Sequence, residues 1–466
     1  MESSSSSSAS PSVTLTEEPP APTHGGFTDF IHKLPRHWAI ALSTAISFGL
    51  IISRGPGLIL NPQFYAEGGN VFYADAWNNG LRVLFRARGG YLHTLPRLVA
   101  AMAVHLPLLW GPSIFVAIAA AIQIAPIWYL LSRRFDNVIP SLLLRMLLCL
   151  IYIALPNTYG VNLNIINADW HLALISFLLI FAESPRTRLS WARDLFILAL
   201  GGLSGPFAVL IWPVAAWRWW GHRTSWAMTV LISETVYSII QGMTIVLTIS
   251  SNRAIGAHLG ATFTLLTRIV AGQVVVGSML GMRNYTDIYH SYLWSHTPLP
   301  TLITLVAALA TVWALIKGPD ILRGLIVFSG LTLVSSLRDP LVSSTKPQWL
   351  VMLVPGVASY YYFLPMLAWI AVVIWYLFRL RDEASRRLAT GKIHLSGRAI
   401  FTSALVLTCV VMLYGIERDW SYPSYTPYHW GTAVSEYSRA RPGTKVTIPI
   451  NPAGWSMTLD KPKASR

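Results

Sequence analysis

The chain has 466 residues, of which 53% are hydrophobic and only 12% charged. A soluble protein carries about 25% charged residues, and apolar runs long enough to cross a bilayer recur here from Trp38 to Tyr414. Composition therefore excludes a soluble enzyme and predicts an all-α polytopic membrane protein with about 10–13 transmembrane helices. The net charge of +15 fits basic loops that orient such a protein. No basic stripe lies on a soluble domain, so nucleic acid is not a predicted partner. Cys149 and Cys409 both fall in apolar runs and read as packing residues, not as a disulfide or metal site.

Residues 1–36 are rich in Ser and Pro and are predicted to form a disordered cytoplasmic tail. The first apolar run starts too late and is too long for a cleaved signal, so it is predicted to remain as an anchor over 37–60. Residues 61–111 then form a first external loop. Within it the apolar stretch 93–110 carries His93, Pro96, Arg97, His105 and Pro107, which are costly at mid-bilayer, so an interfacial helix is predicted there. Spans follow at 112–132, 138–156 and 168–183. Residues 194–217 are broken at "GGLSGPF" and predict two shorter helices bent at Gly205-Pro206.

A span over 226–249 comes next, then an external region over 250–298 that is partly amphipathic around 262–282. Further spans are predicted at 299–317, 320–337, 351–378 and 399–415, completing a transmembrane core over 37–415. Residues 416–466 form an external tail, in which Val446, Ile448 and Ile450 alternate as one short extended segment. With a cytoplasmic N-terminus, 17 Lys and Arg fall in cytoplasmic segments, nine in the outer loops and seven in the outer tail, and this bias supports that orientation.

The first external loop reads "AEGGNVFYADAWNNGLRVLFRARGGYLHTLPR" over residues 66–97. Gly68-Gly69 is predicted to interrupt the helix before Asn70, a good N-cap, leaving Glu67 at a bend near the membrane surface. A carboxylate there suits a general base that takes the proton of an attacking hydroxyl, and partial desolvation would improve it. The plainer alternative is a solvated loop acid paired with Arg82 or Arg86. Asp75 is the second candidate base. Eight residues of helix would place it about 12 Å from Glu67, too far for one tight pair.

The succession of first helix, Glu67, an aromatic-rich helix, "YLHTLP" (91–96), an interfacial helix and a helix ending in "SRR" resembles polytopic glycosyltransferases of the GT-C superfamily. The resemblance is to bacterial relatives of the protein O-mannosyl and lipid A aminoarabinose transferases. "LALGGLSGPFAVLIWPVAAW" (198–217) is similar to their Gly-Pro-broken element, and "YYYFLPMLAW" (360–369) to a late helix start. It covers roughly residues 37–220. Two positions depart from the pattern: Glu67 precedes Gly68 where many relatives have Asp-Glu, and Ser204 stands at the usual Lys. The resemblance implies a catalytic acid in the first external loop and a polyprenyl-phosphate sugar as donor.

Further candidates surround that loop. "NLNIINADWHLALI" (162–175) opens a helix at the same face, where Asp169 and His171 are candidates to bind sugar hydroxyls, or simply cap the helix. His93 and Arg97 complete the predicted substrate-binding set with Arg338, the preferred cation for a phosphate. Glu234 sits inside an apolar run, where an acid is a functional candidate by default. No Walker loop, GxGxxG or Asp-x-Asp motif occurs, and the external histidines lack metal-ligand spacing, so no cofactor and no divalent metal is indicated.

The function predicted is a glycosyltransferase of the cell (inner) membrane acting on its outer face. Its acceptor is a cell-envelope glycan, a lipid-linked saccharide or another exported molecule. The rivals are a polysaccharide polymerase or ligase using a diphosphate-linked donor, and a lipid-linked glycan flippase or other transporter.

Overall fold

The computed structural model describes residues 35–252, 257–389 and 395–462, so the tail predicted over 1–36 lies almost wholly outside the described residues. Among them, eight helices are long and apolar enough to cross a membrane. The chain is a helical multi-pass membrane protein. Helix α1 (Arg36–Arg54) stops at Gly55-Pro56 instead of running on to residue 60, and Pro56 starts a separate turn over Pro56–Leu60. Arg54 ends α1 almost fully buried. Its guanidinium donates to the Ile153 and Leu155 carbonyls, 2.7 and 3.0 Å away, and lies over the Tyr422 ring. A cation there complements the carbonyl end of a helix.

The predicted interfacial helix is α2 (Thr94–Ala103), followed by α3 (Gly111–Leu131). Helix α4 (Leu142–Ala154) is short, and α5 (Ala168–Phe181) is buried along its entire length. An all-round apolar helix of this kind belongs at the centre of a bundle. Helices α6 (Arg188–Gly202) and α7 (Phe207–His222) are separated by the Gly-Pro break, as the sequence predicts. Gly202 lets the Tyr237 ring of α8 (Ser225–Asn252) approach so closely that a Cβ would lie 2.4 Å from it.

Within the described residues of 250–298 the structure adds what the prediction left open. Helices α9 (Phe263–Ile269) and α10 (Gly277–Tyr289) are joined by a π-helical turn, and together they are long and apolar enough to span. They do not run straight. Gly281 has φ 82°, ψ 170°, and the chain doubles back so that Tyr285 packs on Gly272 and Arg268 donates to the Trp294 carbonyl. Thr267 meets Thr301 at the start of α11 (Leu299–Lys317), and the backbone amide of Arg283 meets the Asp419 carboxylate. The segment thus lies across helix ends on one face.

Helices α12 (Asp320–Arg338), α13 (Phe363–Ala389) and α14 (Leu395–Arg418) complete the bundle. The tail is more ordered than one extended segment. It forms α15 (Trp430–Arg439) and an antiparallel hairpin of β1 (Lys445–Ile450) and β2 (Trp455–Asp460). Ile448 and Ile450 point inward with Met457 and Leu459, and β2 is docked on the first loop through Trp77 and Asn78.

The two ends of the bundle differ. One gathers the start of α5, the start of α7, the end of α12 and the turn before α13. The other gathers their opposite ends and the basic residues Arg133, Arg134, Arg186, Arg193, Arg223 and Arg379. There Arg134 and Arg193 converge on the buried Asp194 carboxylate.

Candidate functional site

A cavity of about 580 Å³ opens at the first of these ends, within the range of small-molecule sites. Its wall carries Glu67, His93, Asp169 and Arg88, and Asp339 from the end of α12. Between them stand Tyr65, Tyr91, Tyr159, Tyr360, Tyr361 and Tyr425, with Trp170 and Phe207. Flat aromatic faces with a few convergent polar groups suit a ligand with both apolar and hydroxylated faces.

Glu67 precedes a π-helical turn over Gly68–Tyr73, which continues into a short helix Ala74–Asn79. The glycine pair does not break the helix, and Asn70 is no N-cap; its amide donates to the Ser456 carbonyl. Gly69 is needed for packing, because a Cβ there would lie 2.7 Å from Phe64 and 2.9 Å from Ile450. Just before Glu67, Ala66 has φ 42°, a left-handed conformation that costs a residue with a Cβ about 1–2 kcal/mol. Burial raises the Tyr65 phenol, and the Glu67 charge beside it adds to the shift.

Arg88 comes from a two-residue hairpin turn. Gly89 and Gly90 both have positive φ, and the Arg88 and Tyr91 backbones exchange hydrogen bonds across them. Two successive left-handed residues demand glycine. The Arg88 guanidinium is the one Lys or Arg side chain among the described residues of the wall, and it forms no ion pair among the described residues. It is not among the cations that stand out from the sequence. The available signal was its place between the glycine pair and the "YLHTLP" stretch.

His93 packs on Tyr91 and Phe72 with ring centroids 4.8 and 5.4 Å apart. Its Nε2 lies 3.2 Å from the Arg88 carbonyl, which can only accept, so Nε2 carries the proton. Burial pushes its pKa down to about 4; the hydrogen bond to the Arg88 carbonyl opposes this, and the Arg97 and Arg88 charges add to it. The ring is therefore neutral near pH 7 and carries no positive charge for phosphate, and its Nδ1 is buried without a hydrogen-bond partner. A backbone bridge joins His93 to Ser204. Gln241 of α8 ties the same strip to the Gly-Pro break, bonding both polar groups of Leu92 and the Gly205 carbonyl.

Asp169 opens α5 nearly buried, and its Oδ1 has no hydrogen-bond partner. Gly205 (φ 86°) passes so close that a Cβ would sit 2.9 Å from Asp169 Oδ2. The break between α6 and α7 thus places Asp169 beside the His93 strip.

Five predicted residues stand elsewhere. Asp75 is not in the wall: its carboxylate lies 3.1 Å from Arg97 and 3.6 Å from Arg86. Arg97 is 1% exposed and supports the wall from behind, with its guanidinium under the Phe72 ring. His171 points away from the cavity and bonds the Tyr152 hydroxyl at 2.8 Å. Arg338 is exposed at the end of α12, and its neighbour Asp339 takes the place in the wall. Glu234 is fully buried within α8, away from this cavity, with neither carboxyl oxygen hydrogen-bonded. Among the described residues no three His, Cys, Asp or Glu side chains gather as a metal site.

The architecture defines a polytopic helical membrane protein with a polar, aromatic-lined cavity at one face. Comparison with protein families, with curated proteins and with solved structures finds no match to this chain.

Proposed function

We propose that the protein is a membrane glycosyltransferase that moves a sugar from a polyprenyl-phosphate donor to a cell-envelope glycan, lipid-linked or exported acceptor. The observation that carries this reading is the meeting of Glu67, His93, Asp169 and Arg88 in one aromatic-lined cavity at helix ends, opposite the end that carries Arg133, Arg134, Arg186 and Arg193. By the bias of basic residues toward the cytoplasm, that cavity faces the non-cytoplasmic side of the inner membrane. A lipid-borne donor and a water-borne acceptor can meet there.

In the proposed step an acceptor hydroxyl attacks the anomeric carbon and the bond from that carbon to the phosphate oxygen breaks. Glu67 takes the hydroxyl proton. The phosphate leaves with an added negative charge, which the Arg88 guanidinium stabilises as it develops. His93 and the Asp169 carboxyl hold sugar hydroxyls, and the tyrosines stack on the ring.

Two measurements test it. In cells lacking the protein, envelope glycans lose a sugar, and Glu67→Gln at normal membrane level fails to restore it, with transfer down about 100-fold or more. Full restoration by Glu67→Gln would remove Glu67 as the base. Cysteines placed at Arg88 and Arg186 should react with an impermeant thiol reagent from outside and from the cytoplasm respectively. A protein that moved lipid-linked glycan across proteoliposomes without forming a glycosidic bond would be a transporter instead.

A further inference from the structure

We propose that Asn451, in the turn between β1 and β2, is a positioning residue that sets Glu67 and the Tyr65–Tyr425 pair in the cavity wall; the proposal rests on the glycosyltransferase reading above.

Asn451 is 2% exposed and is bonded at every polar atom. Its backbone N–H donates to the Phe64 carbonyl, and its carbonyl accepts from the Ala66 N–H, so it pairs with Tyr65 as a strand would. Its side-chain Oδ1 accepts from the Thr426 N–H at 2.8 Å. Its Nδ2 donates to the Thr426 carbonyl at 3.0 Å and to Gln63 Oε1 at 3.2 Å. Gln63 Oε1 also accepts from the Tyr428 N–H.

One side chain therefore joins the segment just before Glu67 to the segment that carries Tyr425. The two tyrosines stack with centroids 5.3 Å apart, and both line the cavity. The left-handed backbone at Ala66 relaxes unless its surroundings hold it, and the bond from Ala66 N–H to Asn451 supplies that hold. The chemistry requires an amide. Oδ1 faces a donor while Nδ2 faces two acceptor oxygens. A carboxylate of the same shape would lose both donated bonds and press a charge against the Thr426 carbonyl and Gln63 Oε1.

The test compares full-length wild type with Asn451→Asp and Glu67→Gln. Transfer is measured in isolated membranes holding their endogenous lipid-linked donor, and amide hydrogen exchange on the purified protein. Asn451→Asp is expected to slow transfer about 100-fold at unchanged membrane level, as a displaced reacting group does. The amides of Ala66 and Tyr428 should exchange roughly tenfold faster, the weight of one hydrogen bond, with the helices unaffected.

If Asn451→Asp fails to accumulate, Gln63→Met makes the same test, because it keeps volume and removes the acceptor shared by Asn451 and Tyr428. Unchanged exchange at those amides overturns the clamp. Faster exchange with wild-type transfer overturns its role in positioning. Wild-type transfer by Glu67→Gln instead removes the base assignment, and the positioning role with it, whatever exchange shows.

Discussion

The Arg97 guanidinium lies 3.1 Å from the Asp75 carboxylate, and only 1% of the Arg97 side chain is exposed. The pair links the short helix after Glu67 to helix α2. Phe72 rests on the same guanidinium and lines the cavity. Removing one member of such a pair strands a buried charge. Arg97→Ala should cost about 3–5 kcal/mol and appear as a lower thermal midpoint and reduced membrane level. Asp75→Asn should lower stability less and keep transfer per mole of folded protein near wild type, as expected of a group outside the cavity. A large loss of specific transfer by Asp75→Asn would return Asp75 to candidacy as the base.

Gly205→Ala should damage both fold and transfer. The added Cβ enters a left-handed backbone at a cost of about 1–2 kcal/mol. It also meets Asp169 Oδ2 at 2.9 Å and the Phe207 ring at 3.0 Å. Gly221→Ala is the control, because nothing lies within 4 Å of a Cβ there. Equal midpoints and equal transfer for the two variants would show that the close approach is not needed.

If the guanidinium holds the phosphate in the ground state and as it leaves, Arg88→Ala should raise the donor concentration needed for half-maximal transfer and lower the maximal rate. Arg88→Lys should restore part of both, a point charge without the bidentate fork. Arg338→Ala should leave transfer unchanged. The reverse order of sensitivity would reassign the phosphate to the end of α12.

His93 makes stability depend on pH. Its pKa falls from 6.5 to about 4 on folding, chiefly through burial. Above pH 6.5 both folded and unfolded chains hold it neutral and its contribution is complete. Between 6.5 and about 4 the unfolded chain takes up the proton first, so stability drops as pH falls through that window. The thermal midpoint of wild type should therefore fall further from pH 7 to pH 4.5 than that of His93→Gln. Parallel curves would mean that the ring is not held neutral by the fold.

Much of the helical scaffold is legible in residue order. The Gly-Pro break between α6 and α7 was readable because Pro cannot continue the hydrogen-bond ladder and Gly admits a positive φ. Helix α2 was readable as an element too short to span, because His93, Pro96 and Arg97 make a full span costly. The doubled-back α9–α10 segment was not resolved, since its reversal depends on Gly281 fitting against Asp419 and the Gly415 carbonyl, far along the chain. The hairpin was half legible: β1 alternates, but β2 only becomes a strand by pairing with it.

Sequence by itself determined that the chain lives in a bilayer, roughly where most of its long apolar helices lie, and that Glu67, His93 and Asp169 belong to the same end of the bundle. Hydrocarbon solvent reads run length and local polarity, which are properties of neighbours in the chain. Only the tertiary structure decided that Arg88 and not Arg338 enters the wall, that Asp75 is bound to Arg97, and that Asn451 grips the residues before Glu67. Those outcomes depend on which helix ends and loops come together, and the packing that joins residues 63 and 451 leaves no mark on either segment alone.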